Sequence, residues 1–114
     1  MDILSPEAKL PEVDVIVCFE VIEHMERGEA LVFMKRIKDM LKSNGVAFIS
    51  TPRRLENLYR SENRRKSHKH EYTYKELKED LSNVFSRHIV LGQLDEVIGS
   101  LHPNNVWTYF CICW

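Results

Sequence analysis

A chain of 114 residues, 44% of them hydrophobic, is long enough for one packed core but too short for a complete doubly wound enzyme, so residues 1–114 read as a single partial domain. A formal net charge of -1 with 29% charged residues excludes any global preference for nucleic acid or membrane and leaves only local ones. Cys18, Cys111 and Cys113 lie in apolar runs without metal-type spacing, which favours reduced core thiols over a disulfide frame or a zinc site. With no signal peptide and no apolar stretch approaching about 18 residues, the chain reads as cytoplasmic.

Ser5-Pro6 and Leu10-Pro11 make residues 1–12 an irregular lead-in. Residues 13–19 are apolar with almost no polar alternation, the pattern of a parallel strand covered on both faces. Glu20, Glu23 and His24 gather just past its carboxyl end, where open α/β sheets bind their ligands. From Gly28 to Lys42, Ala30, Met34, Ile37 and Leu41 recur at helical spacing, and Ser43-Asn44-Gly45 predicts a left-handed cap. Residues 46–50 form a second strand ended by Thr51-Pro52, and strand, helix, strand makes a right-handed crossover. After a polar stretch over 53–70, Thr73 and Glu76 have capping-box spacing and open a helix with Leu77, Leu81, Val84 and Phe85 on one face. Residues 88–91 and 106–114 are strand-like, the last internal because both its faces are apolar. Residues 92–105 connect them, with one helical turn expected around Asp95 to Ile98.

Several motifs in this order carry a resemblance. They are Asp2, then Leu10-Pro11-Glu12-Val13-Asp14-Val15-Ile16-Val17-Cys18, then Phe19-Glu20-Val21-Ile22-Glu23-His24. Leu41-Lys42-Ser43-Asn44-Gly45, Ile49-Ser50-Thr51-Pro52 and His68-Lys69-His70-Glu71-Tyr72-Thr73 follow. Over nearly its whole length the chain resembles the carboxyl-terminal half of the Rossmann-like S-adenosylmethionine-dependent methyltransferases. The resemblance implies an α/β fold, a truncated methyltransferase sheet with two parallel strands plus a carboxyl-terminal antiparallel hairpin, flanked by helices. It also implies S-adenosylmethionine as cofactor, with Asp2 near the adenine amino group and Phe19 and Val21 along the molecule. The family's first strand and glycine-rich turn have no counterpart, since no G-x-G-x-x-G pattern occurs. The strand over 13–19 should then lose a neighbour and expose a hydrophobic edge, inviting a homo-oligomer such as a homodimer, or a separate amino-terminal half.

Glu20, Glu23, His24 and His68 together suit magnesium or manganese better than zinc. The set looks like the tetrad of the metal-dependent small-RNA 3′-terminal 2′-O-methyltransferases, and Ser67-His68-Lys69 before Glu71-Tyr72-Thr73 resembles a stretch of the same family. Similar runs occur in methyltransferases that act on small molecules without a metal. Alternatively, Glu20 and Glu23 only cap the turn or the helix that follows and His24 is a packed, hydrogen-bonded residue; His24 is also a candidate general base. Residues 53–70 hold seven Lys or Arg against two Glu. Arg53, Arg54, Arg64 and Arg65, with His68, are candidate contacts to an anionic or nucleic-acid substrate, unless the stretch is only a solvated loop. Tyr59 is its one aromatic residue. His70 and His88 read as surface residues, and Trp107 and Trp114 as core or interface. The expected function is a truncated S-adenosylmethionine-dependent methyltransferase domain with Glu20 and His24 as catalytic residues, completed by a second chain. The alternative is a non-catalytic oligomeric assembly protein that binds nucleic acid through its basic loop.

Overall fold

In the computed structural model, which describes residues 2–55 and 60–114, β1 (Val13–Phe19) leads through a 3₁₀ turn at Ile22–His24 into α1 (Arg27–Met40). The helix returns the chain to β2 (Leu41–Pro52), parallel to β1, so the crossover forms as expected. Ala30, Met34 and Ile37 fall on one stripe of α1 and are buried. The left-handed cap does not form: α1 stops at Met40, Leu41 is already extended, and no described glycine has a positive φ. The chain enters β2 directly, and the register jumps from Val13 opposite Leu41 to Val15 opposite Val46. Gly45 serves that irregularity by close approach, since a Cβ there would meet the Lys42 carbonyl at 3.0 Å.

α2 (Glu62–Ser67), α3 (Tyr74–Val84), β3 (His88–Leu94), β4 (Val97–Gly99) and β5 (Thr108–Cys113) complete the described chain. The sheet order is β1-β2-β5-β3-β4, with every pair but β1–β2 antiparallel, so the last strand is internal as expected, inserted between β2 and β3. The helical turn expected near Asp95 is replaced by a hairpin. Asp95 takes a φ of 51°, a conformation short polar residues tolerate, and the β-branched Val97 and Ile98 pair back onto β3 as a fifth strand.

Thr73 caps α3 by accepting from the Glu76 N–H at 3.2 Å, but the Glu76 carboxylate turns to His70 Nε2 at 2.7 Å instead of closing the box. Arg27 joins α1 to α3 with a bidentate pair to Asp80, Nε to Oδ2 at 3.0 Å and Nη2 to Oδ1 at 2.9 Å. The Tyr72 hydroxyl donates to the same Oδ2 at 3.1 Å, so a buried carboxylate is held by three hydrogen bonds.

Both helices cover one face of the sheet, and Cys18, Ala47, Ile49, Cys111 and Cys113 are buried beneath them. The other face departs from expectation. Val15, Val17 and Phe19 of β1 are 53%, 59% and 48% exposed, and burial alternates along β5. Strand-like hydrophobic runs were expected to be sandwiched, whereas here α1 and α3 lie on the same side. β1 is the sheet edge, as the missing neighbour predicts. All three cysteines are free, and burial pushes the Cys18 thiol to about 11 and Cys113 to about 12, as inert core thiols require. Trp107 and Trp114 are exposed, not core. No described helix is long and apolar enough to cross a membrane.

Candidate active site at the carboxyl rim of the sheet

Glu20 leaves β1 with a φ of 54°, a left-handed conformation that costs an L-residue about 1–2 kcal/mol. Ser50 offsets that strain: its carbonyl accepts from the Glu20 N–H at 3.0 Å and its hydroxyl donates to Glu20 Oε1 at 2.9 Å. Glu20 thereby lines an open cavity of about 310 Å³ with Phe19, Ser50, Gln93, Ile98 and Phe110. Glu23, on the 3₁₀ turn, goes the other way. Its Oε2 accepts from the Thr51 hydroxyl at 3.2 Å, and its side chain is buried. Ser50 and Thr51 are consecutive in β2 and point to opposite faces, so the two glutamates they hold are separated by the sheet.

Glu23 Oε1, like Glu71 Oε2, is buried without a hydrogen-bond partner among the described residues. Burial, reinforced by the nearby Glu20 charge, holds the Glu23 carboxyl above its ordinary range. His24 Nε2 lies 3.7 Å from that oxygen, while His24 Nδ1 donates to the Ser67 carbonyl at 2.6 Å, where α2 ends. A carbonyl can only accept, so the proton sits on Nδ1 and a neutral His24 presents Nε2 as a lone pair. His68 repeats the arrangement with Nδ1 at 2.8 Å from Glu71 Oε1, and the two imidazoles meet edge to face with centroids 5.0 Å apart. Ligand atoms of Glu23, His24 and His68 all lie within 4.8 Å of one another.

Glu71 is fully buried and anchors this arrangement. Arg64 Nε donates to its Oε1 at 2.6 Å and Arg60 Nη1 lies 3.5 Å from its Oε2. Burial alone would push the Glu71 carboxyl up, but the Arg64 and His68 hydrogen bonds and the charges of Arg64 and Arg60 outweigh it and hold the group below its ordinary range. The His70 N–H also donates to the Glu23 carbonyl at 3.2 Å. Residues 67–71 therefore form a strap that orients both imidazoles, the outer support a ligating histidine needs.

Of the expected tetrad the structure brings together Glu23, His24 and His68, and it turns Glu20 away toward Ser50. Neither the 3₁₀ turn nor α1 has a side-chain cap bond, so Glu23 is not a cap. Arg64 faces inward onto Glu71, which corrects its expected place at a substrate. Arg53 donates from Nε to the Val106 carbonyl at 2.7 Å, while Arg54 and Arg65 are exposed. Val21 is half-buried at the start of the turn, and Asp2 keeps to the lead-in, its Oδ1 accepting from the Leu4 N–H at 2.9 Å. Tyr59 lies outside the described residues. Sequence reasoning assigned no role to Glu71, although its place three residues after His68 was the available signal.

Residues 2–96 match a family model described as a methyltransferase domain. The chain belongs to the S-adenosylmethionine-dependent methyltransferase domain family. It is similar to the small RNA methyltransferase HEN1, with 23% identity and a TM-score of 0.71 over 97% of this chain and 15% of that one. The methyltransferase domain of bacterial CtHen1-C gives 20% identity and a TM-score of 0.62 over 98% of this chain and 57% of that one. An S-adenosylmethionine-dependent methyltransferase from Clostridium acetobutylicum gives 9% and 0.70 over 99% and 62%. At such identities the likeness is one of fold, and the chain spans less than two thirds of each of these structures. No curated protein matches the sequence. Membership of the family implies S-adenosylmethionine as the cofactor.

Proposed function

We propose that the chain supplies the acceptor side of a methyl transfer, with Glu23, His24 and His68 holding a divalent cation of the magnesium or manganese kind. The supporting observation is the orphaned Glu23 Oε1, buried beside two imidazoles whose Nδ1 atoms are both engaged elsewhere. A buried acceptor left unpaired costs about 1–3 kcal/mol, and a cation would remove that cost. When bound, such a cation supplies Lewis-acid attraction for the oxygens of an acceptor. With His24 Nδ1 on the Ser67 carbonyl and Nε2 given to the cation, Glu20 at the start of the same turn is the remaining group to take the acceptor's proton, and His24 would do so only where no cation is held. Phe19, on the cavity wall, and Val21 beside it would face the cofactor; at about 310 Å³ that cavity holds only part of such a molecule, and the chain has no glycine-rich turn. The likeness to a small RNA methyltransferase supports an RNA acceptor, and the resemblance of Glu20, Glu23, His24 and His68 to the 2′-O-methylating tetrad supports a ribose hydroxyl on it.

Manganese should raise the melting temperature, and Glu23→Gln or His68→Ala should abolish the rise. A wild-type melting curve unmoved at millimolar manganese would sink the cation.

The exposed Val15, Val17 and Phe19 on the edge strand support a companion proposal, that β1 takes a strand from a second copy or from a polypeptide carrying the glycine-rich half. The same edge favours a second reading, a non-catalytic assembly module. Light scattering at micromolar concentration should show a dimer or a larger species, and a clean monomer that also fails to bind a glycine-rich half would count against both.

A further inference from the structure

We propose that the rim groove centred on Arg53 is a nucleotide subsite, in which Trp107 stacks a base and Arg53 and Arg54 meet the phosphates of a single-stranded nucleic-acid acceptor. The proposal rests on the methyl-transfer reading for what happens at the end of that strand, and it adds where the neighbouring nucleotides lie.

Two adjoining cavities of about 230 and 220 Å³ share Arg53 and Asn104. Arg54 and Tyr74 border the first, and Asn105 and Trp107 border the second. Trp107 is 54% exposed, an unusual position for a residue that normally buries its ring. Among the described residues, charge is also uncompensated here. Arg60 and Arg64 are consumed by Glu71, but neither Arg53 nor Arg54 has a carboxylate partner among the described residues. Cations in a polar concavity without counter-charges attract anions.

The groove is also held in place. The Arg53 N–H donates to the Trp107 carbonyl at 2.9 Å, Arg53 Nε donates to the Val106 carbonyl at 2.7 Å, and the Arg54 N–H donates to the Tyr72 carbonyl at 2.9 Å. These bonds keep the Arg53 side chain beside the segment that carries the indole, and a backbone already held in place loses less freedom when a base stacks on its ring. The Asn104 and Asn105 amides offer both donors and acceptors to base edges.

Register places this groove on the same rim as the carboxylates. Phe19 pairs with Ser50, and Pro52 pairs with Thr108, so Arg53 and Trp107 emerge where Glu20 and Glu23 do, two strands along the sheet. Neighbouring strands lie about 4.8 Å apart and residues rise about 3.3 Å along a strand, so Trp107, two strands across and three residues further along, lies on the order of 15 Å from the end of β1. That is within reach of the nucleotides next to a strand's terminal ribose.

The chain has two tryptophans, so Trp114→Phe leaves Trp107 as the sole indole emitter. A short single-stranded RNA with an unmodified 3′ ribose should quench that emission saturably, whereas inorganic phosphate at equal ionic strength should not. Trp107→Ala should weaken binding of the same RNA, end-labelled and read by anisotropy, about tenfold or more. Arg54→Gln should reduce the slope of log affinity against log salt by about 0.7. Both side chains are solvent-facing, and melting temperatures will verify that the variants fold. No RNA binding, emission unmoved at saturating RNA, an equal quench by phosphate, or undiminished binding by Trp107→Ala would each overturn the subsite. The manganese shift is read without RNA, so quenching without that shift removes the cation and leaves the groove, and the reverse result removes the groove alone.

Discussion

Glu20 and Glu23 leave the same strand three residues apart and arrive in opposite surroundings. Glu20 is exposed, strained at φ 54°, and bonded to Ser50 through both its amide and a carboxylate oxygen. Glu23 is buried with one oxygen unpaired. The contrast shows that the mouth of a parallel strand is two sites, one for each face of the sheet, and that an acid's chemistry follows from the face it enters. The side facing the strap is preorganised and charged, with Glu23 and Glu71 buried and His24 exposed; the side facing Phe19 and Phe110 is open and largely apolar.

The comparison breaks most visibly at Glu71, which supports only the strap side. Glu71→Ala leaves Arg60, Arg64 and His68 around an uncompensated hole and should lower stability by about 3 kcal/mol in urea denaturation, with loss of the manganese shift. Glu20→Val should cost about 1–2 kcal/mol because a β-branched residue cannot hold a positive φ, whereas Glu20→Gly should stay close to wild type. An equal loss from both Glu20 variants would show that the Ser50 bond and not the backbone sets the cost.

Glu23→Gln sharpens the contrast in a quieter way. A carboxyl raised on folding is protonated more in the native than in the unfolded chain, so its contribution to stability falls as pH climbs from the ordinary value near 4.5 through the folded one. Glu23→Gln should therefore flatten that decline and gain about 1 kcal/mol above the window, while removing metal binding. Melting temperatures across pH, with and without manganese, provide the check.

Sequence pattern alone foretold the crossover, the Thr73 cap and the gathering of Glu20, Glu23 and His24 past the end of β1, because each depends on local chemistry or on topology rules; that the last strand is internal was also expected, although its burial alternates and does not cover both faces. The facing of Glu20 was hidden, since nothing in a glutamate announces a left-handed backbone. Burial of β1 was misjudged because periodicity reports what a strand prefers to touch, not whether a second layer covers it. Arg64 looked free for substrate until Glu71 was found buried beside it; a basic run does not disclose which of its charges have partners. The Asp95 hairpin was missed because a short apolar pair such as Val97-Ile98 fits helix and strand equally well.

The bend at Glu20 works as a junction whose length cannot drift. Adding or removing one residue between Phe19 and Ile22 would change the spacing of the two acids, so that they could no longer both meet their partners on the consecutive Ser50 and Thr51 of β2. Substitutions there adjust strength, whereas indels would erase the division of labour altogether.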